Sequence, residues 1–353
     1  MSQIPDQSKR VECFENDLRF FELAEQLGYD KIRIAEHLFS TYGVVTSTQV
    51  YAAAIAQRTK RVRIGTAIVA VPFNHPLRTA SDFALIDILS HGRLDFGVGR
   101  AYQPHEFVGL GVPMDKSREM LAEGLDIILK SWTQERISYK GRFWTIPEPV
   151  ELLPKPVQKP HPPVYQATIS PESFEQAAAG GWNLQMASPF TYRTYRETWM
   201  DALERNLQIY EATCKKLGHD GKKAERMILL PFFVHEDGSK ARETYAKHVE
   251  WFYAKVTANQ LAGAPQTGVV KGYELTMAEG KKTSELGYLS FDKLHQYGAC
   301  IADDPETCVR KLKEMKRRFG ITEFVFWFNI GGIDPEHVER SMRLAVEKVM
   351  PYV

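Results

Sequence analysis

A parallel α/β barrel of the (β/α)8 type, its first strand short, displaced or missing, is the fold this sequence predicts. Three observations point to it. Strand-like and helix-like segments alternate almost throughout, which favours a parallel sheet with crossover helices. Neither a G-x-G-x-x-G fingerprint nor a G-x-x-x-x-G-K-[ST] loop occurs, so a nucleotide-binding doubly wound sheet lacks its main signal. Polar or charged residues also recur where strands end: Glu36-His37, Asn74-His75, Arg100, Thr168 to Ser170, Ser188 and Asn329. In parallel barrels the active site lies on the loops at those carboxyl ends.

Leu18, Phe21, Ala24 and Leu27 form a helical stripe that stops at Gly28, a natural left-handed terminator. Lys31 to Ala35 is a short strand running directly into Glu36 and His37. Tyr51 to Thr59 is alanine-rich and helical, and Val62 to Val71 reads as one long β-branched strand. A helix runs from Pro76 to Ser90, followed by the strand of GRLDFGVGRAYQPHEF, which ends on Gly97, Gly99 and Arg100. Met114 to Trp132 is amphipathic. ISYKGRFWTI is a hairpin excursion with a Lys-Gly turn, and LLPKPVQKPHPP connects it to the strand Val164 to Thr168. Ser170-Pro171-Glu172 starts a helix, with serine as N-cap and proline in the first turn. Further strands are expected at Asn183 to Ala187, Met227 to Val234 and Glu323 to Asn329, and a last helix from Asp334-Pro335. The glycine-rich stretch 256–290 is weakly periodic and reads as a loop or lid within a single domain spanning residues 1–353.

The bulk numbers narrow the partners. With 353 residues, 44% hydrophobic content and a formal charge of +1, no global field draws the chain to nucleic acid or to an acidic membrane. The four cysteines are scattered without metal-ligand spacing, and the start MSQIPDQSKR is polar. A cytoplasmic protein with reduced thiols and no bound metal is the expectation.

Arg100 offers a planar fork for bidentate bonds to a phosphate. Ser170 heads a helix whose free amides and dipole favour an anion, and Ser173 shares its first turn. His37 ends a buried strand at the expected rim, where an imidazole can serve as acid or base. His75, before Pro76, is either a rim residue or a helix cap.

These residues fall within longer stretches: LAEQLGYDKIRIAEHLF, RVRIGTAIVAVPFNHPLR, IDILSHGRLDFGVGRAY, PVQKPHPPVYQATISPES and FNIGGIDPEHVERSMRLAVEKVMPYV. In that order, from about Leu18 to Val353, the chain resembles the bacterial luciferase-like flavin-dependent monooxygenases. The resemblance implies a (β/α)8 barrel holding reduced FMN (FMNH2) at its strand ends. Arg100, Ser170 and Ser173 then stand at the FMN phosphate contacts. Ala67-Ile68 falls where the family often has a non-prolyl cis peptide beneath the flavin ring. His37 matches the first histidine of the family's Glu-His-His-Phe motif, and His75 the histidine before its Pro-x-Arg. Leu38 replaces the second histidine of that motif, Gly99 the luciferase active-site cysteine, and Ile169 the glutamate before the phosphate-binding serine.

The implied activity is oxygenation of a small organic substrate by O2 and FMNH2, the flavin coming from a partner flavin reductase. A homodimer is implied as well. Two alternatives stay open: hydride transfer with the deazaflavin F420, and a non-catalytic flavin-binding subunit. Family members start with an apolar first strand, but only about seventeen residues precede the stripe at Leu18, and none forms a core strand. The empty slot is expected to hold an irregular extended path from the first fourteen residues, to take a strand from another subunit, or to leave exposed edges.

Overall fold

The computed structural model describes residues 6–41, 43–192, 198–261, 270, 273 and 290–353. The chain divides into two compact units: Asp30–Val164 with Ala258–Gly280, and Ser2–Tyr29 with Tyr165–Thr257 and Lys281–Val353. A 3-10 turn, Gln7–Lys9, leads into α1 (Arg10–Leu27), which closes on Gly28 at φ 95°. The helix therefore begins eight residues before the apolar stripe that announced it. Residues 7–14 are turn and helix, which rules out an extended path for them.

In the first unit, β1 (Lys31–Ile34), β2 (Arg63–Thr66) and β4 (Leu94–Gly99) run parallel, Ile32 opposite Ile64 and Ile64 opposite Leu94. The run expected as one strand from Val62 to Val71 is broken, and β3 (Val69–Ala70) resumes beside Val98 and Gly99. The Ala67–Ile68 peptide within the break is cis. Thr66 bridges the gap. Its Oγ1 donates to the Gly97 carbonyl at 2.7 Å and accepts from the Gly97 N–H at 2.8 Å, so buried backbone groups keep partners where the ladder stops.

Helices α2 (Thr48–Arg58) and α3 (Pro76–Leu89) cross between these strands. Every residue of β4 is buried, and the Arg93 that precedes it is consumed structurally. Its guanidinium donates to the carbonyls of Ala56, Thr59, Val62 and Ser90 and to the Thr59 hydroxyl. Near the start of β4 the buried Asp95 is held by Arg63, Lys31 and Arg33, so each buried charge has an opposite. After α4 (Pro104–Leu110) and α5 (Ser117–Thr133) comes the expected hairpin, β5 (Ile137–Lys140) and β6 (Thr145–Val150), antiparallel. The Glu123 carboxylate clamps its turn by accepting from the N–H groups of Arg142, Phe143 and Trp144.

In the second unit, β7 (Val164–Thr168) from Tyr165 onward, β8 (Asn183–Met186) and β9 (Arg226–Val234) are parallel neighbours. β9 is long enough to pair twice on its other side, with β11 (Glu323–Trp327) along Met227 to Pro231 and with the three-residue β10 (Ile301–Asp303) along Phe232 to Val234. Helices α6 (Pro171–Gly180), α7 (Trp199–Leu217), α8 (Gly238–Leu261), α9 (Phe291–Gln296), α10 (Pro305–Phe319) and α11 (Pro335–Lys348) separate the strands. α1 lies on α11, where Arg19 pairs with Glu339 and the Tyr29 hydroxyl donates to the Met342 carbonyl. Asn329 donates to the buried Asp17 of α1.

Among the described residues no strand precedes β1, β1 pairs only with β2, and β11 pairs only with β9. Of the lid expected at 256–290, residues up to Leu261 belong to α8. The remainder, apart from Val270, Tyr273 and Ser290, lies outside the described residues. No described helix is long and apolar enough to cross a membrane.

Candidate functional site

The chain leaves β1 through Ala35 and Glu36 and delivers His37 as a buried residue, 8% exposed. Its Nδ1 lies 3.0 Å from Oε1 of Glu106, a carboxylate of α4 that is only 2% exposed. The same oxygen accepts the Leu38 N–H at 2.9 Å, and His105 Nε2 lies 3.0 Å from the Leu38 carbonyl. The first turn of α4 thus grips the peptide that follows the histidine. An ionised carboxylate can only accept, so an ionised Glu106 selects the His37 tautomer that carries its proton on Nδ1. Tyr102 meets the imidazole edge-on, with centroids 5.8 Å apart.

Glu36 turns the other way and accepts from the N–H and hydroxyl of Thr48 at the start of α2. Burial raises its carboxyl above the ordinary value, and the Thr48 bonds work against that rise. At Phe39 the backbone turns with φ 56°, and its exposed ring sits over Gly109 of α4, where a Cβ would collide with it.

Arg100 emerges half-buried from β4, its guanidinium carbon 3.9 Å from the centre of the Tyr273 ring. Ala101 follows in the left-handed region at φ 62°, uncommon for a residue with a Cβ. The Ala67 N–H donates to the Ile34 carbonyl, tying the start of the cis peptide to the end of β1. His75 is exposed, and its carbonyl caps α3 by accepting from Arg78 and Thr79. Among the described residues no contact joins its ring to His37.

The second unit carries Ser170 and Ser173. Ser170 is the N-cap of α6 by backbone position, but its side chain makes no cap bond. Ser173 does the local work: its Oγ accepts from the Ile169 N–H at 2.9 Å and donates to the Ser170 carbonyl at 2.6 Å. The Oγ of Ser170 is buried and has no hydrogen-bond partner among the described residues, and the same holds for Thr168 Oγ1. Such groups are costly to bury unpaired. An anion or polar ligand group at the head of α6 would satisfy Ser170. Tyr192 donates to the Thr168 carbonyl and Asn206 to the Ile169 carbonyl, fixing the loop that presents it.

In the first unit, a base beside a buried carboxylate and a guanidinium at a strand end suit acid–base work next to an anionic group. In the second, the buried serine at a helix head suits an anion by itself. The profile of the family described as luciferase-like monooxygenase matches residues 3–323. The chain belongs to that family. This luciferase-like monooxygenase is 26% identical over 364 residues to the oxygenase component of the flavin-dependent trigonelline monooxygenase of Acinetobacter baylyi, across 99% of the chain and 93% of the relative. An uncharacterized protein of Sinorhizobium fredii, y4vJ, is 36% identical over 162 residues, a match of 46% of each chain.

Among solved structures, monooxygenase RslO1 from Streptomyces bottropensis superposes with a TM-score of 0.84 at 27% identity, covering 99% of this chain and 96% of that one. The oxygenating constituent of 3,6-diketocamphane monooxygenase from the CAM plasmid of Pseudomonas putida, a type II Baeyer-Villiger enzyme in complex with FMN, gives 0.78 at 18% identity, covering 100% and 96%. The fold is therefore a TIM-type α/β barrel, and the protein is a flavin-dependent monooxygenase.

Sequence reasoning passed over two residues of this luciferase-like monooxygenase. Glu106 stood in view after Arg100, but its partner is 69 residues away. Tyr273 lies in a stretch without periodicity, and no local signal marks it.

Proposed function

We propose that the chain is the oxygenase of a two-component system, using reduced FMN from a separate flavin reductase to place one oxygen atom of O2 into a small organic substrate. The observation that carries this reading is the buried Ser170 Oγ at the head of α6, which has no hydrogen-bond partner among the described residues. Helix N-termini of this kind take phosphate. Arg100, in the other unit, is a charge-assisted donor of the type that binds the same chemical group. Ser173, whose single proton is committed to the Ser170 carbonyl, shapes the turn that presents Ser170. The backbone of Ala67 and Ile68 is the bed for the flavin ring. Relatives support the reading: one is named an oxygenase component, and a solved structure of the same fold holds FMN.

When bound, reduced flavin supplies two electrons to O2, so that one oxygen atom enters the substrate and the other leaves as water. The protein's part is positional. Glu106 fixes the His37 ring and its tautomer, and His37 exchanges a proton at Nε2 with the reacting oxygen. Burial around His37 keeps bulk water from that exchange. His75 is exposed and engages α3 through its carbonyl.

The test is Arg100→Ala with two ligands. Losing one charge-assisted contact costs about 1.5–3 kcal/mol, so FMN affinity falls roughly ten- to a hundredfold. Riboflavin, which lacks the phosphate, keeps its affinity. Equal losses for both ligands overturn the assignment.

A further inference from the structure

Arg100 does not reach its position unaided. Its guanidinium lies over the ring of Tyr273, a residue only 2% exposed, at 3.9 Å from the ring centre. The phenol is fixed at its far end, donating to the Ala101 carbonyl at 3.0 Å and lying 2.8 Å from the hydroxyl of the fully buried Ser117. Since the phenol proton goes to Ala101, the Ser117 hydroxyl is the donor in the second bond. Burial raises the Tyr273 phenol above its ordinary value, with Arg100 working against the rise, so it stays protonated and keeps donating. Phe107 meets the ring edge-on at 6.2 Å.

We propose that Tyr273 is a positioning residue that sets the plane of the Arg100 guanidinium and thereby the affinity for the phosphate end of the cofactor. The proposal rests on the reading that Arg100 is a phosphate contact. A guanidinium stacked on a ring offers one π face to the platform and keeps its N–H donors in the plane, where they can fork onto an anion. Stacking and phosphate binding therefore do not compete. The hydroxyl adds a second hold on the same corner, because Ala101, next to Arg100, sits at φ 62° and hands its carbonyl to Tyr273. Ring and hydroxyl together restrain the arginine through its side chain and through the backbone of its neighbour. A residue 172 positions away in sequence thus prepares the strand end.

The experiment measures Kd for FMN and riboflavin by flavin fluorescence in the full chain and in Tyr273→Leu, Tyr273→Phe, Arg100→Ala and Arg100→Ala/Tyr273→Leu. Removing the platform in Tyr273→Leu should weaken FMN roughly three- to thirtyfold while riboflavin changes less than about twofold. Tyr273→Phe retains the ring but loses the bond to Ala101, and should keep most of the FMN-over-riboflavin preference. In the double variant the leucine should add nothing further to the loss of that preference. Equal weakening of both ligands in Tyr273→Leu, or an undiminished effect in the absence of Arg100, overturns the proposal and leaves a structural role. A preference unchanged in Arg100→Ala instead overturns the phosphate reading, and the positioning role falls with it. If Tyr273→Leu does not fold, Tyr273→Met carries the same comparison, filling the space without a π face.

Discussion

Replacing Glu106 by glutamine removes a charge but keeps an oxygen where two donors need one. The amide oxygen can still accept the Leu38 N–H and the His37 Nδ1–H, which now lie 2.9 and 3.0 Å from Oε1. What is lost is the charge behind the imidazole. A hydrogen bond to an ionised partner exceeds a neutral one by about 1.5 kcal/mol, roughly tenfold in any step where His37 takes up a proton. Glu106→Ala goes further and strands both donors in a buried site, at about 1–3 kcal/mol each. With an unfolding entropy of about 2.1 cal/mol/K per residue over 353 residues, that combined cost lowers the Tm by roughly 3–8 °C. Thermal melts separate the two variants, since Gln should stay within about 2 °C of the parent. Stopped-flow reoxidation of the reduced FMN complex by O2 reads the rate of the chemistry without needing the substrate. A cycle with His37→Ala completes the argument: if Glu106 acts through His37, the glutamine adds little once the imidazole is gone. Fully additive effects, or a glutamine variant melting as low as the alanine one, would refute the reasoning.

Thr66→Val keeps the volume but removes the hydroxyl that serves both the N–H and the carbonyl of Gly97. It should cost about 2–4 kcal/mol in denaturant titrations, with Thr66→Ser recovering most of it. Asp303 is 3% exposed; burial alone would raise its carboxyl, but bonds from His295 and Lys311 outweigh that and hold it at about 2 against an ordinary 3.8. A depressed folded value stabilises above the unfolded value and is lost as pH falls through the window between them. The parent's advantage over Asp303→Asn should therefore be about 2 kcal/mol near neutrality and fade between about pH 4 and 2, read from denaturation of both at several pH values.

Sequence by itself determined what neighbouring residues decide among themselves. Val164–Thr168 is a strand to the residue, α1 stops at Gly28, α6 starts after Ser170, and the hairpin is present, although its turn is Gly141 to Trp144 and Lys140 stays in β5. Periodicity, left-handed terminators and proline in a first turn act within a few residues and are visible in one dimension. Arg100, His37 and Ser170 stood out as candidates in the same way, as polar residues placed at the ends of legible elements.

The tertiary structure decided the rest. The residues from Val62 to Val71 carry no local signal of their break, to which only the family resemblance at Ala67-Ile68 pointed, because what stabilises the gap is a hydroxyl bonded to Gly97, 31 residues on. α1 extends back to Arg10 over residues that carry no complete apolar stripe, and three-residue β10 is too short to show a period. Ser170 is the N-cap residue that the sequence named, but the hydroxyl that serves the turn belongs to Ser173. Glu106 behind His37 and Tyr273 under Arg100 are partners chosen by chain packing across 69 and more than 170 residues. A carboxylate or a phenol carries no local mark of which distant group it will meet. Burial then removes water as a competing partner and makes that meeting energetically decisive.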